Sequence, residues 1–432
     1  MKKAAFYTLG CKVNQYETEA MIELFEKSGY ETVDFDGYAD VYVINTCTVT
    51  NMSDRKSRQI IRRAKKHNPD SIVAVTGCYA QTAPEAVGKI EGVNIVVGTK
   101  DRKNIVSLAE SAAPTESKTA VSDIMHTHEF EELSVGNYKT RTRAYIKIQE
   151  GCNQFCSYCI IPYARGPVRS RPHDEVIKEV KRLADEGFTE VILAGIHVAS
   201  YGTDLGDCDL ASVINEVNQV DKIKRIRLSS IEPMTLDESF IERIKPCTKL
   251  CRHFHISLQS GCDETLRRMN RKYTCDDYKK IVDGLRKNYP GVAITTDIMV
   301  GFPQETEEEF EKTCKFVKDI AFADAHVFQY SQRKGTPAAT RPGQVAPQEK
   351  ERRSHKIIEI TNKSREEYQK EFIGKCAEVL FEQPCHAKEG YFEGKTDNYL
   401  TVIVPTDKDL SGQYLDVELK EVTPDGIIGK II

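Results

Sequence analysis

Three cysteines, Cys152, Cys156 and Cys159, stand in the segment Glu150-Gly-Cys-Asn-Gln-Phe-Cys-Ser-Tyr-Cys159 with the spacing C-x3-C-x2-C. Three thiolates on one short loop can each bind a different iron of a cubane cluster. The fourth iron then stays open to a chelating small molecule. A structural zinc site would want a fourth protein ligand, and a catalytic one three ligands plus water. Buried free thiols would not cluster on a loop, so the spacing favours an iron–sulfur cluster. The loop follows an apolar, strand-like run at 144–149. It therefore sits at a strand's carboxyl end, where barrel enzymes carry their chemistry.

A second set is dispersed. Cys11, Cys47 and Cys78 each follow a strand-like run: Thr8-Leu-Gly-Cys11, Ile44-Asn-Thr-Cys47 and Val75-Thr-Gly-Cys78. Their separations of 36 and 31 residues are about the length of a βαβ unit. Equivalent strand ends of a parallel sheet share one edge, so these thiols can converge in space. Gly10 and Gly77 would let backbone approach a bulky cofactor. Any one of the three reads as a small buried residue. Three at matching strand ends favour a second cluster.

The elements that must position these residues follow from the hydrophobic pattern. A chain of 432 residues exceeds one ordinary core. Residues 1–110 alternate strands (4–9, 41–46, 72–76, 94–98) with helices (14–28, 52–67, 84–90), which predicts an open parallel α/β sheet. Residues 111–140 turn to Ser, Ala, Thr and Glu and read as a linker. Residues 141–372 resume the alternation. Strands are predicted at 144–149, 190–194, 224–229, 253–258, 293–298 and 325–330, with helices near 173–187, 208–219, 235–245, 274–288 and 304–319. These make a partial, TIM-like (βα)6 barrel that ends in a charged helix at 346–372. Residues 373–432 give short strands broken by Gly, Pro and Asp, the pattern of a small β-barrel. The fold class is α/β throughout the first two domains.

Weaker candidates lie at later strand ends. Gly195 ends the second predicted barrel strand, where its backbone could meet a bound cofactor. Ser257, Gln259 and Asp297 could face the barrel mouth and bind cofactor or substrate, with Asp297 also suited to handling a proton. Gly195 reads equally as a simple strand-end glycine, and Ser257, Gln259 and Asp297, each taken alone, read rather as satisfied barrel-interior polar groups. Cys247-x3-Cys251 lacks a third cysteine, and His126 and His128 lack partnered ones. No run of eighteen apolar residues occurs, and Met1–Tyr7 reads as a first strand rather than a signal peptide. A cytoplasmic protein with no membrane partner is expected. Fourteen cysteines then point to metal rather than disulfides.

The net charge of −4 gives no general sign of nucleic acid, so any such site must be local. Arg55, Lys56, Arg58, Arg62, Arg63, Lys65 and Lys66 crowd the helix after Cys47. Lys139, Arg141, Arg143 and Lys147 precede the Cys152 loop, and Arg165, Arg169 and Arg171 follow it. The last three are the preferred candidates for substrate phosphate contacts. Residues 371–432, with six Lys against twelve Asp and Glu, are acidic.

The Cys152 loop resembles the signature of the radical S-adenosylmethionine (SAM) superfamily. That resemblance implies a [4Fe-4S] cluster that cleaves SAM to a 5′-deoxyadenosyl radical, with Tyr158 beside the adenine. The segments Leu9-Gly-Cys-Lys-Val-Asn14, Asn45-Thr-Cys47 and Gly77-Cys-Tyr-Ala80 resemble the methylthiotransferase branch. There the resemblance implies a second [4Fe-4S] cluster on Cys11, Cys47 and Cys78, a C-terminal TRAM-type barrel, and two SAM molecules of different fate. A low-potential donor of flavodoxin or ferredoxin type would supply electrons. Thr8–Glu17, Asn45–Thr50 and Gly151–Gly166 are most similar to the members acting on N6-threonylcarbamoyladenosine at tRNA position 37. The alternatives are members acting on N6-isopentenyladenosine or on a ribosomal-protein aspartate. An alternative of another class is a non-catalytic iron–sulfur RNA-binding regulator.

Overall fold

The computed structural model describes residues 1–133 and 142–432, with Asn51 described in its backbone only. Six parallel strands build the N-terminal sheet: β1 (Lys3–Thr8), β2 (Glu31–Val33), β3 (Val41–Thr46), β4 (Ile72–Gly77), β5 (Ile95–Val97) and β6 (Lys118–Ala120). Their spatial order is β2-β1-β3-β4-β5-β6. Every residue of β3 and β4 is buried. Helices cover both faces of the sheet, so these strands have no solvent side. Tyr42, Ile44, Val73 and Val75 pack on one face, while Val41, Val43 and Ala74 pack on the other.

The stretch that reads as a linker contributes β6, which pairs in parallel with β5. This strand is three residues long and partly exposed, an edge position with no apolar run to announce it. β2 escapes the hydrophobic pattern for the same reason. The domain boundary expected at 140/141, with Lys139 and Arg141, lies outside the described residues.

The central domain holds β7 (Ala144–Glu150), β8 (Arg169–Ser170), β9 (Glu190–Gly195), β10 (Arg225–Leu228), β11 (His253–His255), β12 (Ala293–Val300) and β13 (Asp324–Gln329). They form the sheets β10-β9-β7-β8 and β11-β12-β13. Parallel bridges Ile226–Leu250 and Ile231–Ile256 join the two. The six parallel strands of the expected incomplete barrel are all present. β8 is an additional antiparallel edge. A helix at Pro347–Lys370 closes the domain, burying Arg353, Ile357, Thr361 and Ser364 on one stripe.

The C-terminal strands β14 (Cys376–Pro384), β15 (Tyr391–Lys395), β16 (Thr401–Pro405), β17 (Tyr414–Thr423) and β18 (Gly426–Ile431) close into a barrel ordered β14-β15-β16-β18-β17. β15 is a strand beyond those the pattern predicts, because its Tyr-Phe-Glu-Gly-Lys run is half-exposed. This domain docks on the central barrel by charge. Arg252 pairs with Asp397 at 2.6 Å, Arg225 with Glu378 at 2.9 Å, and Arg143 with Glu382 at 2.8 Å. Part of its acidity thus answers arginines of the neighbouring domain. Among the described residues, no helix is long and apolar enough to cross a membrane.

Candidate active site

β1, β3 and β4 are adjacent, with Thr8 opposite Asn45 and Thr46 opposite Gly77. Cys47 and Cys78 therefore leave the sheet edge side by side, and Cys11 follows from the neighbouring strand. Gly77 has φ +93°, and a Cβ there would stand 2.3 Å from the Thr46 carbonyl oxygen, so only glycine fits. Asn14 ties the Cys11 and Cys47 loops together. Its Nδ2 donates to the carbonyls of Leu9 (2.8 Å) and Thr46 (3.1 Å), and its Oδ1 faces the Cys11 Sγ at 3.6 Å. Burial pushes the thiol of Cys78 up, and the Arg165 guanidinium opposes it. Arg165 Nε donates to the Cys78 Sγ at 3.2 Å.

The second loop is held as firmly. Gly151 has φ +74°, and a Cβ on it would lie 1.8 Å from the Pro167 carbonyl oxygen. Cys152 N donates to Gly166 O (3.0 Å), and Ser157 Oγ donates to Arg268 O (2.8 Å). Arg271 Nη1 donates to the Cys156 Sγ at 3.2 Å, while its Nη2 pairs with Glu232 at 2.8 Å. Burial pushes the Cys152 thiol up to about 11 and the Cys159 thiol up to about 12. Thiolates at such positions need an electron-poor partner, which iron supplies. Among the described residues, no three His, Cys, Asp or Glu side chains converge closely enough to hold one metal ion. Cysteines that each bind a separate iron of a cubane stand farther apart than ligands of a single ion.

Between the loops lies a buried charge network. Arg165 Nη1 reaches Glu17 and Glu150 at 2.5 and 2.6 Å, and Lys147 reaches Glu150 at 2.7 Å. Arg102 pairs with Glu17 and with Glu131. Burial works against the charged form of Glu150. Lys147, Arg165 and Arg102 outweigh it and hold the carboxyl well below the usual range. Three cations face three carboxylates, and the network links the N-terminal sheet to the barrel.

This geometry corrects the reading of the basic residues after the loop. Arg165, Arg169 and Arg171 are all buried, at 0%, 2% and 4% exposure. Arg169 donates to the carbonyls of Arg165 and Pro167, and Arg171 pairs with Glu132 and Glu179. They organise the interior and present nothing to a phosphate backbone. Arg143 and Lys147 are likewise paired, with Glu382 and Glu150. Of the helix Asn51–His67, Arg55, Lys56, Arg62 and Lys66 are exposed, while Arg63 pairs with Asp36.

The remaining candidates divide by depth. Gly195 ends β9, where an added Cβ would meet Gln149 Oε1 at 2.8 Å, and Gln149 Nε2 in turn donates to Gly151 O. The Ser257 carbonyl accepts from Tyr273 and faces Arg271 Nη2, beside the Cys156 loop. Gln259 has φ +66°, and among the described residues its buried Oε1 has no hydrogen-bond partner. Tyr158 is half-buried, its ring set edge-on to Phe302 with the ring centroids 6.4 Å apart. Asp297 lies 3.2 Å from His255 and lines a cavity that Lys12 also borders, and its carbonyl accepts from Gln259 N at 2.8 Å. Sequence reasoning missed Asn14, Glu17, Glu150, Glu232 and Arg271. Charged residues inside or beside apolar strands, such as Glu150 after Ile146-Lys-Ile148, were the available signal.

The surrounding scaffold has known counterparts. Residues 146–317 match the radical SAM superfamily, and residues 3–98 match a family described as uncharacterized protein family UPF0004. The chain resembles a solved radical SAM methyltransferase, TsrM from Kitasatospora setae, with a TM-score of 0.57 at 15% identity, over 78% of this chain and 77% of that one. That likeness concerns the fold alone. A threonylcarbamoyladenosine tRNA methylthiotransferase (MtaB) from Bacillus subtilis (strain 168) is 46% identical over 97% of this chain and 94% of its own. Its counterpart from Aquifex aeolicus (strain VF5) is 39% identical over 93% and 98%. A tRNA-2-methylthio-N(6)-dimethylallyladenosine synthase from Acetivibrio thermocellus is 35% identical over 98% and 90%. The chain belongs to the radical SAM methylthiotransferase family and is an enzyme of that class.

Proposed function

We propose that the protein methylthiolates tRNA at C2 of N6-threonylcarbamoyladenosine next to the anticodon, at position 37. The observation that carries this reading is the pair of three-cysteine beds joined through Arg165, which touches Cys78 on one side and Glu150, two residues before Cys152, on the other. The likeness to the two relatives named for threonylcarbamoyladenosine supports the choice of base.

Cys152, Cys156 and Cys159 would hold one [4Fe-4S] cluster, and Cys11, Cys47 and Cys78 a second. When bound, the first supplies reductive cleavage of SAM and the second a site for the sulfur to be transferred. The chain's own residues do the positioning. Arg271 and Arg165 donate to Cys156 and Cys78, so each bed has one cysteine with a guanidinium against its sulfur. Gly195, Ser257 and Gln259 offer polar groups around the Cys152 loop for SAM, with Tyr158 for its adenine. Asp297, beside His255, would take a proton inside the barrel. A low-potential donor delivers electrons from outside. The exposed face of the helix at 51–67 supplies phosphate contacts. Exposed Val49 and Met52, with Phe155 and Tyr163, supply apolar surface beside the two loops.

The test is nucleoside mass spectrometry of tRNA from a strain lacking the gene. Loss of 2-methylthio-N6-threonylcarbamoyladenosine, with its unmethylthiolated precursor accumulating, is expected. Loss of the dimethylallyl counterpart instead would assign the sister substrate. Normal levels of both would remove the tRNA reading altogether.

A further inference from the structure

A cavity of about 320 Å³ opens inside the barrel, lined by residues of all three domains. Its polar wall includes Lys12, Ser229, His326 and Tyr399 together with the paired Asp297 and His255. Lys12 directly follows Cys11 and is half-buried. Among the described residues it makes no ion pair and no side-chain hydrogen bond. Of the carboxylates that share the cavity, Asp297 faces the His255 ring at 3.2 Å and Asp324 faces Arg365 at 3.7 Å, and neither pairs with Lys12. An ammonium removed from water without a counter-ion is costly, and a ligand carboxylate would relieve that cost.

Tyr399 points to the same ligand. It reaches the cavity from the C-terminal barrel with φ +68°, an unfavourable backbone for a non-glycine residue. Its ring stacks on His253 at 4.4 Å with an interplanar angle of 8°. Strain of this kind persists where packing holds a side chain for use. Among the described residues its hydroxyl makes no side-chain hydrogen bond. Lys12, Arg143, Arg227 and Lys395 act on that hydroxyl as its cationic neighbours. Glu382 and Glu190 answer Arg143 and Arg227. Among the described residues no carboxylate pairs with Lys12, so its ammonium is open to an anionic ligand at this end of the cavity.

We infer that Lys12 and Tyr399 seat the free carboxylate of the threonylcarbamoyl group, and so select an acidic N6 substituent over an apolar one. This rests on the substrate reading above and adds the residues that enforce it. An N6-dimethylallyl group in the same place would bury the ammonium against hydrocarbon, a penalty that rejects it.

The experiment uses the cluster-loaded full-length enzyme and anticodon stem-loop RNAs with N6-threonylcarbamoyladenosine, N6-dimethylallyladenosine or plain adenosine, with binding read by fluorescence anisotropy at fixed salt. The wild type should prefer the threonylcarbamoyl RNA over plain adenosine by about tenfold or more, the scale of one hydrogen bond to a charged group. Lys12→Gln should reduce that preference to about twofold or less, and Lys12→Arg should keep most of it. Tyr399→Phe, which leaves the cysteine beds alone, should lower it several-fold and guards against a Lys12 variant that fails to take up iron. Full preference retained in both Lys12→Gln and Tyr399→Phe would overturn the assignment of the seat. So would an equal loss on threonylcarbamoyl and plain RNA, which marks a general phosphate contact. A wild type with no preference would overturn the substrate reading itself, and the seat with it.

Discussion

At the scale of single residues, the six cysteines and the two arginines against them differ in how they could be found. The cysteines declare themselves by spacing and by recurrence at strand ends. If each bed holds its own cluster, reconstituted wild type should carry about eight irons and the Cys152→Ala/Cys156→Ala/Cys159→Ala variant about four. That variant should form no 5′-deoxyadenosine under reduction. An iron content that falls to zero would mean the two beds do not load independently. Arg165 is legible as a basic residue beside a cofactor loop, which suggests an outward role. Its burial depends on Glu17 and Glu150, which come from 148 residues earlier and 15 residues earlier in the chain. A sequence shows charges one at a time. It does not show which of them meet, so a paired interior arginine and a surface phosphate contact look alike.

At the scale of elements, long buried strands are readable and short edges are not. β3 and β4 are continuous apolar runs because helices cover both of their faces. β2 and β6 are three residues each and half-exposed, so no periodicity marks them. The helix Asn51–His67 has a basic face in sequence, and the structure divides that face. Thr50 caps its N-terminus by accepting from Ser53 N, Ile61 and Ala64 point into the core, and Arg55, Lys56, Arg62 and Lys66 meet solvent. Reversing Arg55, Arg62 and Lys66 to Glu should weaken tRNA binding and flatten its dependence on salt, by roughly one unit of log–log slope for each phosphate no longer neutralised. Unchanged affinity and slope would place the RNA elsewhere. Folding should be little affected, since exposed charges contribute about 1 kcal/mol or less each.

At the scale of the molecule, two charge-paired joints set the arrangement of the three domains. The outer joint runs from Arg143, Arg225 and Arg252 to Glu382, Glu378 and Asp397. The inner joint is the buried network around Glu17 and Glu150. Glu150→Gln would leave its cations uncompensated in the interior and should destabilise the enzyme by about 3–5 kcal/mol. Chemical denaturation would measure this. Burial opposes the charged forms of Glu17 and Glu150, but their cationic neighbours hold both carboxyls below the ordinary range. Their contribution is therefore complete above the unfolded value of about 4.3 and is lost as pH falls through the lower folded values. The wild-type melting temperature should exceed that of Glu150→Gln by a constant margin from about pH 6 to 8, and the margin should shrink below about pH 4. A margin that widened in acid would contradict the assignment.

The inner joint also limits how such a chain can be recombined. Glu17, Arg102 and Glu131 come with the N-terminal segment, while Lys147, Glu150 and Arg165 come with the barrel. A chimera that grafts a foreign N-terminal domain onto this barrel inherits only one side of each ion pair that crosses between them. Unless the donor matches all three positions, it seals an unmatched charge into the seam. Shuffling between sister enzymes to change their choice of base is therefore restricted to cut points that keep this seam in one piece.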